Sequence, residues 1–402
     1  MRRTTISLTL ASLLVSSASW AVVHPGVDLT DRYIVVLKKD ASPNAAQHVL
    51  AAIENQRGAV LFRYQHTLQG FAVQMPLTAL QGLQHRFPDI DYIEPDLAVQ
   101  AMPRGGNKPN NGDSGTSTEP LQTTPWGIKR VGGFVDMSGD DARAWIIDTG
   151  IDDKHADLNV DARSGRNFSR GKPNQTSDGN GHGTHVAGTV GAIDNAMDVV
   201  GVAAGVTVVP VRVLDNAGSG TISGVIAGVD YVAEAAASGD CANLSLGAKG
   251  YSQALDTAIK TAADAGILFS IAAGNSADDA SLYTPASTVH PNVYTVSAID
   301  NNDNFAYFSN YGSDVEYAAP GVSVLSTKAG AEQSLTMERP WRRHTCAAYC
   351  LSRAVSRACP VMPRAIPMAT QTLSFINNSC INKSFINKQY SFLAEIDPTP
   401  DF

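Results

Sequence analysis

Ala144-Trp145-Ile146-Ile147-Asp148-Thr149-Gly150 runs an apolar strand into an acid, and further along Gly181-His182-Gly183-Thr184-His185-Val186-Ala187-Gly188 sets a glycine-flanked histidine before small apolar residues. Around them, beyond Pro125-Trp126-Gly127-Ile128, apolar strands alternate with helical stretches. The strands read at 208–214, 242–247, 267–275, 294–298 and 315–321, with helices at 223–236 and 255–265. That alternation predicts an α/β fold, a parallel sheet covered by helices on both faces. In such a sheet the carboxyl ends of neighbouring strands and the starts of the following helices converge on one crevice. An acid at a strand end and a distant histidine can therefore meet. A buried carboxylate on one imidazole nitrogen fixes the tautomer and leaves the other nitrogen to act as general base.

Other chemistries fit parts of the pattern. His182 and His185, at i and i+3, could form a metal pair on a helix face, although no Glu follows His182 as in His-Glu-x-x-His. His185 reads more simply as a structural, hydrogen-bonded histidine. Asp148-Thr149-Gly150 could be half of an aspartic protease, but that chemistry requires a second such triplet in the chain or from a partner. The chain holds no other Asp-Thr-Gly.

Taken together, Asp148 followed by His182 resembles the subtilisin-like serine proteases, whose triad runs Asp, His, Ser along the chain. The resemblance implies a three-layer α/β body in which Asp148 orients His182 and His182 serves as base and acid. It implies that Ser245-Leu246-Gly247 pairs with an extended substrate as an added strand, the glycine letting the peptide backbone approach. Ala273-Gly274-Asn275 would be the oxyanion segment, with the Asn275 amide as donor. A structural calcium ion is also implied, because Ala192-Ile193-Asp194-Asn195-Ala196-Met197-Asp198-Val199-Val200-Gly201 resembles the family loop after the histidine helix. Its ligands would be Asn195, the carbonyls of Ile193, Met197 and Val199, Asp157 in His155-Ala156-Asp157-Leu158, and Gln122; hard Ca²⁺ takes six or more oxygens. Asp198 stands where the family usually has glycine.

The first residues, Met1-Arg2-Arg3 and an apolar run ending at Ser19-Trp20-Ala21, read as a secretory signal peptide over 1–21. No later run is long and apolar enough to span a bilayer, so a soluble, extracellular product is expected. Residues 22–101 read as a small α+β, ferredoxin-like unit. Strands fall at 33–37, 70–74 and 90–96, and a helix at 44–55. Arg32-Tyr33-Ile34-Val35 and Tyr92-Ile93-Glu94-Pro95-Asp96 resemble the inhibitory propeptide of the same proteases. A generic accessory domain is the alternative. The stretch 102–120, rich in Gly, Asn, Pro, Ser and Thr, reads as a linker cleaved near Pro120. A net charge of −8 with no basic stripe argues against nucleic acid as a partner. The expected partners are protein and peptide substrates and the propeptide, as intramolecular inhibitor and folding aid, on a monomeric chain.

The serine that His182 would deprotonate is missing. The family places it in Gly-Thr-Ser-Met-Ala soon after a segment like Ala319-Pro320-Gly321, and the chain contains no such sequence. Its character changes instead: all 34 glycines lie at or before Gly330, four of the five cysteines lie at or after Cys346, and Ser374-Phe375-Ile376-Asn377 recurs at Ser384-Phe385-Ile386-Asn387. Joining the third base of each codon to the first two of the next tests for a frame change. Met337 into Glu338 must give glycine, and the junctions from Thr336 to Cys346 all admit Asn-Gly-Thr-Ser-Met-Ala-Thr-Pro-His-Val. A frameshift between about Gly330 and Met337 is therefore expected. The body would end near residue 335, with 336–402 an out-of-frame tail, disordered or misfolded. Two outcomes follow for function: a serine endopeptidase by family whose nucleophile this translation lacks, or an inactive pseudoprotease, a peptide-binding or inhibitory remnant. Cys241, alone in the body, reads as a buried thiol.

Overall fold

The computed structural model describes residues 27–42, 44–102 and 122–330. The signal peptide at 1–21, nearly all of the linker and the tail from 336 lie outside the described residues. So does the tail's expected disorder.

The N-terminal unit runs β1 (Arg32–Leu37), α1 (Ala45–Asn55), β2 (Ala59–Tyr64), β3 (Gly70–Gln74), α2 (Leu77–Arg86), β4 (Ile90–Pro95) and a short β5 (Ala98–Ala101). Strands pair antiparallel in the order β2-β3-β1-β4, a ferredoxin-like sheet. The sequence reading had no counterpart for β2 or β5. Successive side chains on a strand face opposite ways, and β1 uses both faces. Val35 and Leu37 pack with Val49, Ile53 and Leu80 of the unit's own helices, whereas Ile34 and Val36 join the core of the larger body.

The body continues with α3 (Trp126–Arg130), β6 (Val135–Asp136), β7 (Arg143–Asp148), β8 (Arg166–Asn167), α4 (His182–Gly191), β9 (Ala203–Ala204) and β10 (Thr207–Arg212). It goes on through β11 (Ser219–Thr221), α5 (Ile222–Ala235), β12 (Cys241–Leu244), β13 (Leu246–Lys249) and α6 (Gln253–Asp264). The last strands are β14 (Leu268–Ala272), β15 (Tyr283–Thr284), β16 (Val293–Ile299) and β17 (Tyr317–Pro320). Seven strands form a sheet in the order β17-β16-β14-β12-β7-β10-β8, parallel at every pairing. Helices α5 and α6 pack on one face over Trp145, Ile147 and Val211; α4 packs on the other over Ala144, Ile146 and Val208. Trp145 is fully buried because its indole N–H finds Asp240 Oδ2 at 2.9 Å. Side-chain caps start the two outer helices: Thr221 accepts from Gly224 N and Ser252 from Leu255 N.

Two features of this order position the site. After β7 the chain adds β10 on one side and β12 on the other, so the strand progression reverses beside Asp148 and a crevice opens at the carboxyl ends. The stretch expected as one strand over 242–247 is broken at Ser245. There β13 leaves the large sheet and enters a second one ordered β11-β5-β13-β15. Within the described residues no helix is long and apolar enough to cross a membrane.

Candidate active site

Asp148 ends β7, and His182 is the first residue of α4; both are buried. Imidazole Nδ1 lies 2.7 Å from Asp148 Oδ1 and 2.8 Å from Oδ2. The carboxylate also accepts the N–H of Thr149 at 2.7 Å. Glycine makes this approach possible. A Cβ on Gly183 would overlap the carbonyl oxygen of Gly150, one on Gly150 would overlap that of Thr176, and Gly181 turns into the helix at φ 96°. With Asp148 holding a proton on Nδ1, the other nitrogen is the basic one.

Asn275 follows β14, two strands from Asp148 on the same edge. Among the described residues neither atom of its carboxamide has a hydrogen-bond partner, although both are shut off from solvent. A buried, unspent N–H donor is costly unless something uses it. Behind it, Gly274 holds φ 115°, where a Cβ would strike the Asn310 side chain, and its carbonyl accepts Asn310 N at 2.9 Å. Ala273 N donates to Val296 O, so these two residues pack as backbone behind Asn275.

The cleft beside this pair is filled by the chain itself. Strand β5 lies antiparallel between β11 and β13, with Gly247 opposite Gln100 and Leu246 opposite Ala101. Met102 N donates to Ser245 O at 3.2 Å, and Ala101 N to Gly218 O at 2.8 Å. A Cβ on Gly247 would come within 3.3 Å of Met102 Cε, so the glycine leaves room for that side chain. Val99 is fully buried and belongs to the body's main core, and Met102 is nearly so. Of the expected substrate segment, Ser245 and Gly247 meet the strand through backbone, while the Leu246 side chain belongs to the core.

Residues 145–381 match the model of the subtilase family, and residues 32–102 match that of peptidase inhibitor I9. The chain belongs to the subtilase family. It is 34% identical over 391 residues to the subtilisin-like serine protease Pen ch 18 of Penicillium rubens, across 82% of this chain and 74% of that one. It is also 34% identical to the cuticle-degrading protease of Metarhizium anisopliae, with coverage of 74% and 73%. A crystal structure of a cold-adapted subtilisin-like serine proteinase shares 40% identity over 51% of this chain and 75% of its own, with a TM-score of 0.46.

The I9 unit of this subtilase grips the body at three carboxylates. Glu94 accepts from Ser252 Oγ at 2.6 Å and from Gln253 N at 3.0 Å, at the start of α6. Asp96 accepts Ser223 N at 2.9 Å, in the first turn of α5, and pairs with Arg32 at 3.0 Å. In the other direction, Asp230 of α5 accepts the backbone N–H groups of Gln65, His66 and Thr67 at 3.0, 2.9 and 2.7 Å. Burial pushes the Glu94 and Asp96 carboxyls above their ordinary range, outweighing the donors that favour the ionised forms.

Of the residues expected to hold calcium, Gln122, Ile193, Asn195 and Val199 come together, and Asp157 joins them through Asn195. Gln122 Nε2 lies 2.8 Å from Ile193 O, 3.2 Å from Val199 O and 3.4 Å from Asn195 Oδ1. Asn195 Nδ2 reaches Asp157 Oδ1 at 2.8 Å, and Met197 N donates to Asn195 Oδ1 at 2.6 Å. Three oxygens thus face one point, now taken by an amide NH₂. Exchanging the Gln122 amide O and N would bring a fourth oxygen there, an arrangement that a hard cation stabilises, so the donor set fits calcium. Burial pushes the Asp157 carboxyl up to about 7. Asp198 holds φ 40°, a left-handed conformation that glycine adopts more cheaply than an L-residue. No group of three or more His, Cys, Asp and Glu is placed to hold a metal among the described residues.

The sequence reading missed Glu94, Asp96 and Asp230 as docking groups, β5 as the cleft strand, and Asp178, which caps α4. Two signals were there to read: Glu94 and Asp96 stand in the propeptide-like Tyr92-Ile93-Glu94-Pro95-Asp96, and Asp178 is an acid shortly before a helix start.

Proposed function

We propose that this chain is the frame-interrupted form of a secreted serine endopeptidase made as a zymogen, its reaction run by Asp148, His182 and a serine that this translation lacks. The observation that carries the reading is the Asp148–His182 contact at 2.7 Å, buried at the switch point of a parallel sheet. In that reading His182 takes the proton of the serine hydroxyl as it attacks the peptide carbonyl, then returns it to the leaving amine. The Asn275 amide donates to the developing oxyanion. Loss of such a donor costs about 3 to 4 kcal/mol, a magnitude known from subtilisin itself rather than derived from this chain. Gln122, Asp157, Asn195 and the carbonyls of Ile193, Met197 and Val199 would hold a calcium ion, which stiffens the loop after α4. Residues 22–101 form the inhibitory propeptide, 102–120 the linker and 121–335 the interrupted peptidase body, exported behind a signal peptide.

As translated, the chain is read as a peptide-binding remnant. One observation favours this: β5 already occupies the cleft, with backbone hydrogen bonds on both edges. Labelling with a serine-directed fluorophosphonate tests the reading. The chain as written should not label, and a chain with Gly-Thr-Ser-Met-Ala restored should label only while His182 is intact. Covalent labelling of the unaltered chain overturns the inactive reading, and codons from 330 to 346 that cannot spell Gly-Thr-Ser in another frame overturn the frameshift.

A further inference from the structure

The Asp178 carboxylate accepts five hydrogen bonds. Oδ1 takes Thr149 Oγ1 at 2.9 Å, Asn180 N at 2.9 Å and Gly181 N at 2.7 Å. Oδ2 takes Thr184 N at 2.9 Å and Thr184 Oγ1 at 2.7 Å. Gly181, the cap residue of α4, has no side chain to accept the free N–H groups of the first turn, and Asp178 does so from outside the helix. The same carboxylate fixes the Thr149 hydroxyl, which in turn accepts Gly183 N at 2.9 Å. Thr149 follows Asp148 and gives its own N–H to that carboxylate. One acid therefore ties the residue after Asp148 to the residues on either side of His182. From the sheet, buried Arg212 of β10 donates to Ser177 O at 3.1 Å and to Asn216 Oδ1 at 2.6 Å, holding the residue just before Asp178.

We propose that Asp178 is a positioning residue for the Asp148–His182 pair, acting through Thr149 and the first turn of α4 to hold the imidazole in register with the carboxylate. This rests on reading Asp148 and His182 as a catalytic pair. The alternative is a helix cap that adds stability and nothing more. The two differ in what happens to the imidazole proton when the network is cut without loss of volume. Asp178→Asn does so, because either amide orientation aims an NH₂ at two or more donors. Thr149→Val removes the link alone, and Thr149→Ser keeps it.

The test is proton NMR of the full chain as written, following the far-downfield Nδ1–H resonance of His182, assigned by its loss in His182→Gln. Asp178→Asn and Thr149→Val should lose or broaden that resonance and move the titration midpoint of His182, and Thr149→Ser should keep both. A folded Asp178→Asn or Thr149→Val with resonance and midpoint unchanged overturns the inference. If Asp178→Asn does not fold, the two Thr149 variants decide. In a frame-restored chain, Asp178→Asn should slow fluorophosphonate labelling by up to about 100-fold, the scale of a misplacement of about 1 Å. If the restored parent labels and Asp178→Asn labels at the same rate, the inference fails. If the restored parent itself does not label, the catalytic reading fails and the resonance alone judges Asp178.

Discussion

Single residues in this chain show where local preference yields to a neighbour. Asp198 accepts φ 40° because the loop around Gln122 and Asn195 needs a turn there, and an L-residue pays for that conformation. Replacing Asp198 with Gly should raise unfolding stability by about 1 kcal/mol, measured by urea denaturation in chelator. Asp157 is the second case. Burial raises its carboxyl to about 7, so the folded chain keeps a proton that the unfolded chain gives up near the ordinary value of 3.8. A carboxyl raised on folding contributes stability at low pH and loses it as pH climbs to the folded pKa. Without divalent ions, the melting temperature should therefore fall between pH 4 and 7 through this group. Calcium should cancel that loss by holding the ionised form, and Asp157→Asn should remove both effects. A calcium-insensitive profile identical in parent and variant would sink the calcium reading. Asp148 and His182 were legible in sequence because their glycine neighbours admit one close approach. The Thr149 link to Asp178 was not, since 29 residues separate them and only folding brings them together.

At the scale of elements, alternation along β1 decides two separate things. Val35 faces the unit's own helices, whereas Ile34 and Val36 face the body. Val35→Ala should lower the stability of the I9 unit itself, by about 2 kcal/mol for two buried carbons and the space they leave. Val36→Asp should spare that fold and release the unit from α5 and α6. Hydrogen exchange tells them apart: protection lost at 70–74 marks the first, and protection lost at 98–102 alone marks the second. A run such as Tyr33-Ile34-Val35-Val36-Leu37 announced a strand, but not that its two faces serve two cores. Strand β5 announced even less. Ala98-Val99-Gln100-Ala101 is too short to carry a period, and it becomes a strand only because β11 and β13 offer unpaired edges on both sides.

For the whole molecule, docking of the I9 unit should depend on pH through Glu94 and Asp96, whose carboxyls are raised by burial against the body. Undocked, both face water and ionise in the ordinary range. Docked, they hold their protons longer, so docking is favoured at mildly acid pH and weakens as pH rises through their raised values. Exchange of residues 98–102, corrected for the intrinsic pH dependence of exchange, should quicken across that window. Glu94→Gln with Asp96→Asn should flatten the response, and an unchanged slope would refute it. The sequence alone determined the α/β class, the pairing of Asp148 with His182, the N-terminal ferredoxin-like unit and the absence of Gly-Thr-Ser-Met-Ala. Each of these is written in contiguous periods or motifs whose side-chain and backbone needs are local. Tertiary structure alone decided that the strand at 242–247 breaks at Ser245, that β5 fills the cleft, that three carboxylates join the two units, and that Asp178 ties β7 to α4. These contacts pair groups far apart in the chain, and hydrogen bonds between them exist only once burial has brought their elements together.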